Sequence, residues 1–191
     1  MARVGTRQTK GMVVEEVTRY WHERFPWTGP STDEVAIHVV GAVEALMVER
    51  GRLQPGALAA LEDCRRRGLR LALASSSHYR YIRLALDHFE LNGRFDVIRS
   101  AQDEAFGKPH PAVFLSAAAD LGAPPRSCVV LEDAPAGVIA AKAARMSCIA
   151  VPDPAERTKP AIALADAVLS SLEHLDESVW AQVGAALERP A

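Results

Sequence analysis

From Pro55 onward the sequence alternates short apolar runs with segments of helical spacing, and that alternation leaves few folds open. Runs 69–74, 95–99, 128–131, 148–151 and 167–169 have the length and apolar character of buried strands. Segments 78–88, 110–121 and 134–145 between them have helical composition and spacing. Ahead of the first run, 56–67 ends in Arg65, Arg66 and Arg67 followed by Gly68, a basic last turn and a glycine stop. Strands joined by helical crossovers lie parallel and need cover on both faces. The expected fold class is α/β, a doubly wound parallel sheet.

The residues before Pro55 follow different rules. Met12, Val13, Glu16, Val17, Tyr20 and Trp21 keep helical spacing, and Ser31 with Glu34 forms a capping box before a helix over 35–50. Phe25-Pro26-Trp27-Thr28-Gly29-Pro30 is a breaker-rich turn that would join two antiparallel helices. The expected division is a helical piece, 1–53, and an α/β core, 54–191, with the boundary near 51–54.

A chain of 191 residues, 49% hydrophobic and 24% charged, is long enough for one well-buried core with a small accessory piece. Its 22 basic and 24 acidic side chains give a net charge of −2, too little field to recruit nucleic acid or an anionic membrane, and neither partner is expected. Arg3, Arg7 and Lys10 are not followed by an apolar stretch of signal-peptide or membrane-span length. Cys64, Cys128 and Cys148 stand singly, without zinc spacing or the even count of a disulfide framework. A cytoplasmic location and a monomer are the expectations.

In parallel sheets ligands bind beyond the carboxyl ends of the strands. After the first run come Ser75-Ser76-Ser77-His78, hydroxyls and N–H groups suited to a phosphate at a helix start, or a plain N-cap. Gly107-Lys108-Pro109-His110-Pro111 puts a lysine where a helix begins, unfavourable beside the dipole's positive end unless an anion is near. A solvated surface lysine is the plain alternative. After the third run, Glu132 and Asp133 are adjacent carboxylates of the kind that suits Mg²⁺, although Asp133 as N-cap with Pro135 in the first turn fits equally. Brought to one rim, these groups make a phosphate-plus-magnesium site, which for phosphoryl transfer still needs an oxygen nucleophile.

Leu71-Ala72-Leu73-Ala74-Ser75, Gly107-Lys108-Pro109-His110-Pro111-Ala112-Val113-Phe114 and Leu131-Glu132-Asp133-Ala134-Pro135-Ala136-Gly137 resemble the second, third and fourth motifs of the haloacid-dehalogenase superfamily. Trp27-Thr28-Gly29-Pro30-Ser31 and Lys142-Ala143-Ala144-Arg145-Met146 resemble its branch of 2-deoxyglucose-6-phosphate and hexitol-phosphate phosphatases. The resemblance implies that Ser75 and the Ser76 backbone hold the transferring phosphoryl group, that Lys108 neutralises it, and that Asp133 with Glu132 helps bind Mg²⁺. It makes the helical piece a partial cap, and Arg7 of Gly5-Thr6-Arg7 a substrate contact. The substrate class it implies is a small sugar or polyol phosphate. Tyr79, Tyr81, Trp21 and Trp27 are better read as core than as a sugar pocket.

The same family carries an Asp-x-Asp at the end of its first, central strand, which supplies nucleophile, general acid and a metal ligand. No Asp-x-Asp occurs in these 191 residues. The expectation is therefore a chain that lacks the central strand and is inactive as written, part of an intact phosphatase working through an aspartyl-phosphate. A non-catalytic phosphate- and magnesium-binding remnant and a phosphosugar mutase are the alternatives.

Overall fold

The structure, a computed structural model, describes residues 14–187. The chain divides into two compact units between Arg52 and Leu53. Arg7, expected as a substrate contact, lies outside the described residues.

The first unit is a hairpin of α1 (Val14–Arg24) and α2 (Thr32–Arg50). The Glu34 N–H donates to Ser31 Oγ at 3.2 Å while the Ser31 N–H donates to Glu34 Oε2 at 2.7 Å, the capping box read from the sequence. In the turn, the Trp27 indole N–H donates to Pro30 O at 2.9 Å and its ring meets His22 edge to face. Trp27 thus fastens the turn itself.

The second unit runs α3 (Ala57–Arg66), β1 (Ala72–Ser75), α4 (Tyr79–His88), β2 (Val97–Ser100), α5 (Ala112–Asp120), β3 (Val129–Glu132), α6 (Pro135–Ala143), β4 (Ser147–Ala150), β5 (Ala167–Val168) and α7 (Glu177–Leu187). All its strand pairs are parallel, as the alternation requires. β1 starts later than expected because Leu69 belongs to the stop of α3. Its N–H donates to Cys64 O at 3.0 Å across Gly68, which adopts φ 71°. The alternation predicts nothing beyond 169, yet the chain adds α7, whose Val179 and Val183 close over Ile149 and Ala167.

The sheet is in two parts, in keeping with the expectation that the central strand is missing. β1 pairs with β2, and β3, β4 and β5 form a separate sheet in that order. Leu71 O accepts from Val97 N–H, so along β1 alternate residues face β2, and Ala72 and Ala74 turn their backbone groups to the other edge. On β3, Cys128 O and Glu132 O accept from the β4 side, which leaves Val129 and Leu131 facing away from it. The discontinuity follows from the sequence, because no further apolar run is available to lie between these two edges. Ile82 and Leu86 of α4 pack with Leu73 and Phe95, while Val113 and Phe114 of α5 and Val138 and Ala141 of α6 share one cluster with Val130, Cys148 and Ala74, so α5, which lies against β1 and β2, joins the two sheets.

Candidate active site

The carboxyl ends of β1 and β3 are linked by one side chain. Lys108, from the loop ahead of α5, donates from Nζ to Ala74 O at 3.2 Å and to Glu132 Oε2 at 2.8 Å. The accepting carbonyl is one that β1 turns away from β2, so the ammonium sits on the open edge of that strand. Phe114, in the first turn of α5, places its ring 4.3 Å below the same nitrogen. With 12% of the lysine and 7% of the glutamate side chain exposed, this pair is largely withdrawn from water.

Such burial is tolerable because the carboxylate is almost fully partnered. Glu132 Oε1 accepts from the N–H groups of Asp133 and Ala134 at 3.2 and 3.1 Å, and Oε2 takes Lys108. The lysine's expected anionic partner is thus present within the protein. Its position differs from the expectation, since α5 begins four residues later at Ala112, and Lys108 projects back toward the strands rather than standing on the helix end.

Asp133 is exposed beside this pair. The N-cap of α6 is Ala134, with no side-chain hydrogen bond, so the capping explanation for Asp133 does not hold. Crowding by surrounding protein pushes its carboxyl above the usual range, and the neighbouring Glu132 adds to the shift while Lys108 opposes it. A carboxylate whose charge is disfavoured in this way gains from a cation next to it. The oxygen-only chemistry of the two carboxylates fits Mg²⁺, although among the described residues no cluster of three His, Cys, Asp or Glu side chains forms a complete cage.

Ser75 ends β1 and Ser76 follows on the exposed loop into α4. The N-cap of α4 is His78, without a side-chain bond, so no serine of the run caps that helix. Instead, Ser75 Oγ accepts from the Ser77 N–H at 3.0 Å and curls the loop. The loop is clamped from β2: fully buried Ser100 donates to Ser77 O at 2.6 Å and accepts from Gln102 N–H at 3.0 Å. Gln102 Oε1 in turn accepts from Tyr79 N–H at 3.3 Å. Sequence reasoning overlooked Ser100 and Phe114; a serine closing an apolar strand run and an aromatic six residues after a buried lysine were the available signals.

Comparison with known proteins places these motifs. The haloacid dehalogenase-like hydrolase pattern matches residues 5–145. Hexitol phosphatase B of Escherichia coli K12 is 42% identical over 167 residues, 87% of this chain and 75% of that protein. Among solved structures, CbbY from Rhodobacter sphaeroides in complex with phosphate superposes with TM-score 0.75 at 26% identity, over 93% of this chain and 83% of that one. A β-phosphoglucomutase from Clostridium difficile reaches TM-score 0.77 at 23% identity over 95% and 82% of the two chains, a likeness of fold. No helix among the described residues is long and apolar enough to cross a membrane. With its motifs in order on a parallel α/β framework and its sequence matched over most of its length, the chain belongs to the haloacid dehalogenase-like hydrolases.

Proposed function

We propose that the intact protein hydrolyses a small sugar or polyol phosphate, and that this chain supplies the groups that hold and neutralise the phosphoryl group, while the nucleophile, the general acid and one metal ligand belong to an Asp-x-Asp that the sequence does not contain. The observation that carries the reading is Lys108, whose ammonium reaches from the open edge of β1 to the end of β3. The resemblance to hexitol phosphatase B supports the substrate class. The likeness to a phosphoglucomutase, at 23% identity, speaks for fold alone and does not favour a mutase.

In this reading a strand that the sequence does not contain lies between β1 and β3 and ends in Asp-x-Asp. It would pair with the groups that Ala72, Ala74, Val129 and Leu131 turn away from their present partners. Its first carboxylate attacks phosphorus as the sugar oxygen leaves with a proton from the second Asp, and that Asp then takes a proton from the water that cleaves the acyl phosphate, which returns the carboxylate and releases phosphate. Ser75 Oγ and the Ser76 N–H hold the phosphoryl oxygens, and Lys108 offsets their charge without acting as an acid. Mg²⁺, held by Asp133 with Glu132, would draw negative charge from the phosphoryl oxygens. Asp133 carries the larger share, because the oxygens of Glu132 already serve Lys108 and two N–H groups. The helical unit, as a partial cap, would act on substrate choice, with Arg7 as its contact.

The chain by itself should bind phosphate and Mg²⁺ without turnover, since no Asp-x-Asp is available to it. The test is to fuse a strand-forming segment ending in Asp-x-Asp ahead of residue 1 and assay hexitol phosphates with Mg²⁺. Release of inorganic phosphate from the fusion, and none from a fusion with Asn in place of the first Asp, is expected. Equal release by both would overturn the reading.

A further inference from the structure

Gly137 is buried at the third residue of α6, in an ordinary helical conformation whose N–H donates to Ala134 O at 3.0 Å. Nothing in the backbone there calls for glycine, and alanine at a helical position is favoured by about fivefold in the folding equilibrium. The reason for glycine lies across the turn. A β-carbon at 137 would stand 2.0 Å from Glu132 Cδ, 2.1 Å from Oε2 and 2.5 Å from Cγ. The side chain of Glu132 therefore occupies the space that any other residue at 137 would fill.

We propose that Gly137 is a positioning residue of the site: its absent side chain forms the recess that seats the Glu132 carboxylate, and the seated carboxylate fixes Lys108 Nζ. The atoms in the way are the flexible end of a side chain, so alanine at 137 would displace the carboxylate rather than the backbone of α6. Displacement gives up the 2.8 Å bond to Lys108 and the bonds from the Asp133 and Ala134 N–H groups. Lys108 would then keep Ala74 O and the face of Phe114, and lose the anion that sets its direction. What Lys108 does there for a phosphoryl group rests on the function proposed above; the recess does not.

Four chains test the assignment by equilibrium unfolding: the parent, Gly137→Ala, Glu132→Ala and the double variant. Gly137→Ala is expected to destabilise the parent but to stabilise the Glu132→Ala chain by up to about fivefold, the helical advantage of alanine once the recess is empty. Soluble yield on expression should rank the four in the same order. Destabilisation by the same factor in both backgrounds would overturn the proposal. Acetylation by an N-hydroxysuccinimide ester, read by mass spectrometry against Lys159, reports on the lysine directly. Lys108 should react faster in Gly137→Ala, approaching its rate in Glu132→Ala, and an unchanged rate would also overturn it. Neither readout uses turnover, so failure of the completed protein to hydrolyse phosphate would count against the function and leave the recess standing.

Discussion

β1 and β4 are parallel strands of equal length on the same framework, yet their surroundings differ. In β4, Cys148, Ile149 and Ala150 are each 0% exposed, whereas every residue of β1 is only half-buried. β4 has β3 on one side and β5 on the other, with α6 and α7 packed against it. β1 has β2 alone, and β3 has β4 alone. β2 and β5 are edges as well, but the candidate residues gather at the carboxyl ends of β1 and β3 and in the loops beside them. Thus the interior of the three-stranded sheet is closed at β4, whereas β1 and β3 keep unpaired edges at the seam to which the proposed function assigns the reaction.

The largest expected effect lies at the seam. In a protein completed with an Asp-x-Asp strand, Lys108→Ala and Asp133→Ala should each lower turnover about 10²- to 10³-fold, measured as phosphate release. Lys108→Arg should restore only part of the loss, since a planar guanidinium cannot replace a compact ammonium held between a carbonyl, a carboxylate and a ring. Near-normal turnover in either alanine variant would detach the seam from the chemistry.

Two ion pairs sharpen the comparison through stability. Lys108–Glu132 bridges the seam with 12% and 7% of its side chains exposed, and Lys142–Asp166 lies by β4 with 33% and 19% exposed. Lys108→Ala should cost about 3 kcal/mol in denaturant unfolding, because it leaves Glu132 buried without its cation, and Glu132→Gln in that background should recover part of it. Lys142→Ala should cost about 1 kcal/mol, as Asp166 keeps the Cys148 N–H at 2.8 Å and reaches water. Equal costs would mean that the seam is no drier than the flank of the finished sheet.

The closed interior of β4 also has a pH signature. Burial raises the Cys148 thiol from its ordinary value of 9.0 to about 12, with smaller effects from neighbouring charges. A thiol kept neutral by the fold contributes stability that is complete below pH 9 and lost as pH rises toward 12. Unfolding across that window should lose part of its pH dependence in Cys148→Ala, and iodoacetamide should modify Cys148 only after unfolding. The smallest effect is expected at Ser77→Ala, within about 0.5 kcal/mol, because only the backbone of Ser77 bonds to Ser75 and Ser100.

The sequence revealed the strands and helices of the second unit up to β5, though not α7, because each is a local pattern: an apolar run, a glycine stop, a basic last turn. Ser31 and Glu34 revealed the start of α2 for the same reason, since both halves of a capping box lie within one turn. What it hid depends on contacts between distant residues. The need of Lys108 for an anion was legible from its loop, but the identity of that anion as Glu132, 24 residues away, was not. The break between β2–β1 and β3–β4–β5 could not come from periodicity, which counts strands without saying which edges meet, but it was expected from the absent Asp-x-Asp strand. Ser100 passed as the end of a strand because its bond to Ser77 O spans 23 residues.

The open seam is tested most directly by amide hydrogen exchange on the chain alone and with the completing strand present. The Ala72, Ala74, Val129 and Leu131 amides, which face away from β2 and β4, should exchange much faster than those of Ile149 and Ala150 in the chain alone, and become protected once the strand is added. Protection of all four in the chain alone, equal to that of β4, would contradict the account.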